Sequence, residues 1–405
     1  MDPPFPAPMA GYFGASFLIL RSERDPLYAR ALVIEAGEAR VGLVSVDRVL
    51  VPPGLRAAVE AREEFRRSGV REWILGATHA HTAPGAHADN ITAEIFGAGS
   101  YDPLIVDALA RGIAESLERA AAALEPCRFA SATGEIGPTA SRFVSFNRRD
   151  PSLSPDRTID LALFLREPGS GAAASPLALW YSFGAHPTLI PFYLRRTSGD
   201  YQGKTSRLLE KRLGGVALFA NRPSADLAAG APGDEAAVGW EDRLERIGVV
   251  LAAEIERIAA GAAAVAPKTA AAEPELAFVG ARVRLPPRHP WRIPLAGRAI
   301  AEQYPEDALI QCFRIGDFFF LSAPAEVEAS LGARVVAAAM SRSGAGRLAL
   351  WTIADEYIGY AFSKAAFAGG GKSLHLAAYG PELEEWLLER LPSLAAVCAA
   401  LRPGP

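Results

Sequence analysis

Three of the six histidines in this 405-residue chain fall in one short stretch, LGATHAHTAPGAHAD, at 75–89. His79 and His81 stand two apart at the end of an apolar run, EWILGATHAH, that reads as a strand. Side chains two apart on an extended backbone share a face, so both imidazoles are expected to face one pocket at the strand's end. Imidazole ligates zinc and titrates near neutrality, so the pair suits a metal site or proton transfer. The competing reading is two histidines hydrogen-bonded within a polar loop. His87 lies beyond Pro84 and Gly85 and is expected at the surface.

Three further segments place chemistry at the ends of apolar runs. In LWYSFGAHPTLIP, 179–191, His186 follows a strand and precedes Pro187, which holds its backbone extended. Shortly after it, TSGDYQGKTSRLLEKRLGG offers Ser198 or Asp200 as a helix cap. FFFLSAPAEVEASLGARVV, 318–336, puts Glu326 and Glu328 at a strand-to-helix turn. A helix N-terminus favours a carboxylate, and Glu328 can fill that role while Glu326 points into a site. TIADEYIGYAF, 352–362, sets Tyr357 and Tyr360 after another apolar strand, where aromatic rings would otherwise be core.

The elements that must position these groups alternate along the chain. Strand-like runs begin at 31, 41, 72, 159, 177, 215, 276, 310 and 348. Helical spacing fills 53–68, 102–124, 203–213, 240–260, 326–341 and 381–395. This interleaving predicts an α/β fold, a mixed sheet with flanking helices in one large domain. The low-complexity stretch 259–275 reads as an internal loop, and 1–8 and 396–405 as loose ends. Half the residues are hydrophobic and the net charge is −4, which excludes a broad nucleic-acid footprint. No apolar run approaches the roughly 20 residues of a membrane span. Cys127, Cys312 and Cys398 form no CxxC pair, so neither a cysteine zinc site nor a disulfide framework is expected. With a start, MDPPFPAPMAGYFGAS, that lacks the pattern of a signal peptide, the expectation is a cytoplasmic protein.

Taken in order, these motifs resemble those of the neutral (alkaline, non-lysosomal) ceramidases. GATHAHTAPG resembles the family's ATHTHSGPG segment, FGAHPT its HPT segment, and SGDYQGKTSRLLE the aspartate-tyrosine stretch that follows. SFNRR at 145–149 is similar to its NRS-type motif, SAPAEVEASLGARV to its PGEFTT turn and helix, and ADEYIGYAFSKAAF to its tyrosine-rich segment. The opening GYFG…RDPLYARALVIEAGEARVGLVSVD also follows the family pattern, so the likeness runs from about residue 9 to 390. It is a likeness to the N-terminal catalytic domain, without the C-terminal immunoglobulin-like domain family members usually carry.

The resemblance implies a zinc amidase acting on a small N-acyl amide, ceramide or a related lipid. It assigns the zinc ligands to His79, His186, Glu326 and Tyr360, with Tyr357 as the competing tyrosine and otherwise a catalytic group. It places His81 beside a zinc-bound water and Arg148 on the substrate carbonyl. Zinc with an open position lowers the pKa of bound water to about 7. Arg148 would stabilise the oxyanion and His81 would carry a proton to the leaving amine. Two departures are visible. NRPSADLAAGAPG, 221–233, has Ala228 where the family has a site serine, with Ser224 nearby, and PAEVEA lacks the two threonines of PGEFTT. The rival readings are another metallohydrolase class, since HxH also opens barrel and β-lactamase-like metal sites, and a degenerate homologue that binds without turnover. A β-lactamase-like site is disfavoured because proline and glycine follow HxH where an Asp-His pair would be needed, and a barrel because the strand and helix spacing is less even than eight regular units.

Overall fold

Runs such as VALFAN and FFFLSA are apolar at nearly every position, a pattern that only a strand covered on both faces accommodates. In the computed structural model they lie at the middle of an eight-stranded mixed sheet. The structure describes residues 6–401 except 13–17, 90–93, 95–97, 167–174, 234–236, 267–273, 290–301 and 371–372. The strand order is Leu276–Arg284, Asp307–Ile315, Phe318–Ala323, Arg347–Thr352, Val216–Asn221, Pro176–Phe183, Thr158–Arg166 and Cys127–Glu135. Two of its neighbouring pairs are parallel, Pro176–Phe183 with Val216–Asn221 and Phe318–Ala323 with Arg347–Thr352. Between these pairs the ladder is a single antiparallel match, Asn221 with Thr352. The two parallel pairs therefore meet by their carboxyl ends.

Alternation along the strands sorts the core into layers. Phe319 and Leu321 face the helices Ala329–Ser343 and Glu382–Ala400, while Phe318 and Phe320 face the other way. That second face buries Trp180, Phe313 and Trp351 against Leu32, Ile34, Leu43 and Ile74 of a three-stranded sheet. The small sheet consists of Ala29–Ala36, Ala39–Val46 and Glu72–Ala77, the first two antiparallel and the last two parallel. The helix Pro103–Ala122 covers its far side through Leu109, Ile113 and Leu117. The helices Asp200–Leu213 and Trp240–Val265 complete the outer layer over Leu161, Tyr181 and Phe219. The order is helix, large sheet, small sheet, helix: a mixed α/β fold, as the alternating pattern predicts.

Several boundaries differ from the sequence reading. The run from 310 to 324 is a hairpin, turned at Gly316 with φ 59°, where only glycine is unstrained. The helical stretch 53–68 divides into Leu55–Glu60 and Glu63–Ser68. The expected loop at 259–275 is helical as far as Val265, and 267–273 lie outside the described residues. The ends are less loose than expected. Ala7–Pro8 pair with Ile19–Leu20, and the last helix runs to Ala400 with Cys398 buried, because its apolar stripe continues past 395. Residues 1–5 and 402–405 lie outside the described residues. Among the described residues no helix is long and apolar enough to cross a membrane.

Candidate functional site

Every strand in the two parallel pairs, and the last strand of the small sheet, leads into a loop that reaches one point. His79 follows Ala77, His186 follows Phe183, Ser224 follows Asn221, Glu326 follows Ala323 and Tyr357 follows Thr352. The carboxyl ends of parallel strands are where α/β sheets hold ligands. The two neighbouring histidines arrive by a different route from the one expected. His79 is not extended but left-handed, at φ 66°, so the turn after the strand, not its pleat, brings the rings together. Thr78 fixes that turn by donating from Oγ1 to the buried Asp47 carboxylate.

The backbone dictates which ring nitrogen faces the centre. His79 Nδ1 lies 2.6 Å from the Val49 carbonyl oxygen, and His186 Nδ1 lies 2.9 Å from that of Ser224 and 3.1 Å from that of Leu227. A carbonyl only accepts, so each Nδ1 carries the hydrogen and each neutral ring presents a lone pair at Nε2. Both lone pairs meet the same atom. Glu326 Oε2 is 3.0 Å from His186 Nε2 and 3.3 Å from His79 Nε2, and His81 Nε2 is 3.1 Å from His79 Nε2. Buried acceptors converging this way need a shared cation or shared protons. The nitrogen donors of His79, His81 and His186 all lie within 4.8 Å of one another, and all three side chains are buried. Ligand atoms in a tetrahedral zinc shell with bonds of about 2.0–2.1 Å stand roughly 3.3–3.4 Å apart. The donor set fits such an ion.

Glu326 is held from the other side by the tyrosine segment. Its strand, Glu326–Val327, pairs in parallel with Tyr360–Ala361, which sets Glu326 opposite Tyr360. The Tyr357 hydroxyl donates to Glu326 Oε1 at 2.5 Å, and the Tyr360 ring stacks on that of His186, with centroids 6.5 Å apart. Both phenols therefore reach the centre. Burial, reinforced by the Glu326 charge, pushes both tyrosines well above their ordinary pKa. Burial alone would raise the Glu326 carboxyl too, but positive charge at His79 and His186, which protons at their Nε2 atoms would supply where no cation does, outweighs it and holds the carboxyl well below the usual range. Glu328 takes the helix-start position, as the spacing suggests. It precedes Ala329–Ser343 and accepts from the Ser363 amide, while Asp226 accepts from the Ala329 amide.

Arg148 and His81 flank the centre. Arg148 is anchored by Nε and Nη2 on the Ala225 carbonyl, and Nη2 also lies 3.1 Å from His186 Nε2. Burial and then Arg148 push His186 down to about 4, and burial and then His79 and His186 hold His81 well below its ordinary value. At neutral pH these two rings are in the uncharged form that ligates metal or accepts a proton. His81 Nδ1 is buried without a partner among the described residues. Its ring is flanked by Tyr12, with centroids 5.1 Å apart. A cavity of about 1060 Å³ borders Arg148, Ala225 and Leu227, with Leu153, Ala333 and Phe362 on its apolar side.

The sequence reading is corrected at two positions and extended at several others. His87 is buried, not on the surface, because the loop after Gly85 is tied beneath the residues that follow it. Ala86 donates to the Ala98 carbonyl and accepts from the Asp102 amide, and burial lowers the His87 pKa to about 4. Asp200 opens its helix but serves as a loop anchor, accepting from the amides of Leu189, Ile190 and Tyr201. Burial raises its pKa to about 6 despite those donors. Ser224 contributes its backbone carbonyl to His186, and Ala228 bridges to His186 through the backbone. Tyr12, Gly11 and the Val49 carbonyl were not legible as site groups. A lone aromatic near the start of a chain carries no spacing signal, and a carbonyl carries none at all.

Residues 21–235, more than half of the chain, match the model of the neutral/alkaline non-lysosomal ceramidase family, N-terminal region. No curated protein matches the chain. The crystal structure of neutral ceramidase from Pseudomonas aeruginosa superposes with a TM-score of 0.81 at 22% identity, over 98% of this chain and 73% of that one. A second structure, a ceramidase complexed with C2, gives 0.77 at 20% identity, over 98% and 74% respectively. At these identities the structural likeness speaks for the fold. With the family model matched across the segments that carry His79, His81, Arg148 and His186, the chain belongs to the neutral/alkaline non-lysosomal ceramidase family.

Proposed function

We propose that this protein is a zinc-dependent amidase that cleaves the amide bond of an N-acyl lipid or amine, ceramide or a close relative. One observation carries the reading: the Nε2 atoms of His79 and His186 and the Glu326 carboxylate converge in one buried cluster. In this reading His79, His186, Glu326 and Tyr360 hold the ion. When bound, zinc supplies Lewis acidity, which makes water nucleophilic near neutral pH and draws charge from a carbonyl oxygen. The chain's own residues supply the rest. Arg148, fixed on the Ala225 carbonyl, offers a preorganised cation to the oxygen on which charge develops. His81, uncharged at neutral pH and standing against His79, can take a proton from the attacking water and then pass it to the leaving amine. Tyr357 holds Glu326 in place. The cavity beside Arg148 accommodates the acyl or amine substituent.

Ala228, in backbone contact with His186, favours a second reading, a family member that binds without turnover. One experiment separates the two. Zinc-loaded protein is incubated with ceramides, N-acyl amines and N-acyl amino acids, and released fatty acid is measured. The proposal expects hydrolysis of at least one class. No release from any class with zinc bound overturns it in favour of the second reading.

A further inference from the structure

Two exposed aromatic rings lie two and three contacts away from His81. Tyr193 is 66% exposed and Phe192 44% exposed, side by side on one short turn. Phe192 touches Tyr12, with ring centroids 5.4 Å apart, and Tyr12 touches His81. An aromatic path thus runs from open solvent to His81. The turn is followed at once by Arg195 and Arg196, and the backbone bolts it to the N-terminal segment. The Arg21 amide donates to the Arg195 carbonyl, and Arg196–Thr197 pair in parallel with Ser22–Glu23. This brings Arg21, Arg24, Arg195, Arg196 and Arg207 together with Glu23 and Asp25. Asp25 is already paired with Arg24 and Arg207, so the surplus belongs to the outward arginines. The patch is basic although the chain carries a net charge of −4.

We propose that Phe192, Tyr193, Arg195, Arg196 and Arg21 form a docking patch for an anionic lipid membrane. Exposed aromatic rings seat at the boundary of headgroups and acyl chains, where one edge is apolar and the other wet. Arginines beside them meet the negative potential of anionic lipids, and the two contributions add. A soluble ligand would call for a concave site, whereas Arg21, Phe192, Tyr193 and Arg196 are exposed and Arg195 half-buried. The amidase reading gives the patch its purpose, delivery of a lipid toward His81, but the binding itself needs neither zinc nor turnover.

The test is co-sedimentation of the full-length protein with phosphatidylcholine vesicles, with and without about one-third phosphatidylglycerol, at low and high salt. The parent protein is expected to partition onto the anionic vesicles, more weakly as salt rises. Tyr193→Ser combined with Arg196→Glu is expected to lower that partitioning about tenfold or more. Both side chains are exposed, and an unchanged thermal unfolding midpoint establishes that the variant is folded. Absence of binding, equal binding to both vesicle types, or a folded variant that binds like the parent overturns the proposal. Because no substrate is present, a failure here leaves the amidase reading standing, and a failure to hydrolyse leaves this one standing.

Discussion

Both oxygens of Glu326 are engaged, Oε2 with His79 and His186 and Oε1 with the Tyr357 hydroxyl. The carboxylate is thereby aimed before any ion arrives. Replacing Tyr357 with Phe removes one donor with little change in volume. The expected outcome is a 10- to 100-fold loss of zinc affinity with the fold intact, the usual scale for a partner that orients a ligand. Chelator competition measures it, and an unchanged affinity would remove Tyr357 from the site. At this scale the sequence reveals residue types better than their conformations. His79, His81, His186 and Glu326 stand out by chemistry and by position after apolar runs. The left-handed backbone of His79 does not stand out, because any reading by strand alternation assumes an extended chain. Both tyrosines lie beside Glu326, Tyr357 through its hydroxyl and Tyr360 by strand register.

At the scale of elements, the N-terminal segment forms a wall of the site. Met9 bonds backbone to backbone with Leu18, Ala10 with Ala83, and Gly11 lies directly against the His81 ring. A β-carbon at Gly11 would sit 2.6 Å from His81 Nδ1 and 2.9 Å from a Val49 methyl, on a backbone with φ 95° that other residues resist. Gly11→Ala is therefore expected to displace His81, lowering kcat at least about tenfold while zinc content stays near that of the parent. Parallel assays of turnover and bound metal check this, and full activity in the variant would show that the wall gives way freely. The strands leading into the site are legible as β-branched and aromatic runs. The strand Cys127–Glu135 is not, because CRFASATGE is mostly small or polar and sits at the sheet's edge. The hairpin at Gly316 hides inside one apolar run because both of its strands are buried.

Across the whole molecule, the site exists where two sheets and two parallel strand pairs meet, so their spacing sets its geometry. Gly76, in the small sheet, packs directly on Trp351 of the large one, and a β-carbon there would lie 2.1 Å from the indole nitrogen. Gly76→Ala is expected to pry the layers apart at a cost of about 1–3 kcal/mol, read as a lower midpoint in thermal or urea unfolding. An unchanged midpoint would contradict the tight stacking of the two sheets. No reading of a single strand foretells this contact, because its partners lie 275 residues apart. The account as a whole rests on these layers delivering His79 and His186 to one ion, and the most direct test is metal content. Protein purified with zinc and freed of loosely bound metal is expected to retain about one zinc per chain. The folded variants His79→Ala and His186→Ala should each retain little or none. Variants that keep the parent's zinc, or a parent that holds none, would contradict the account.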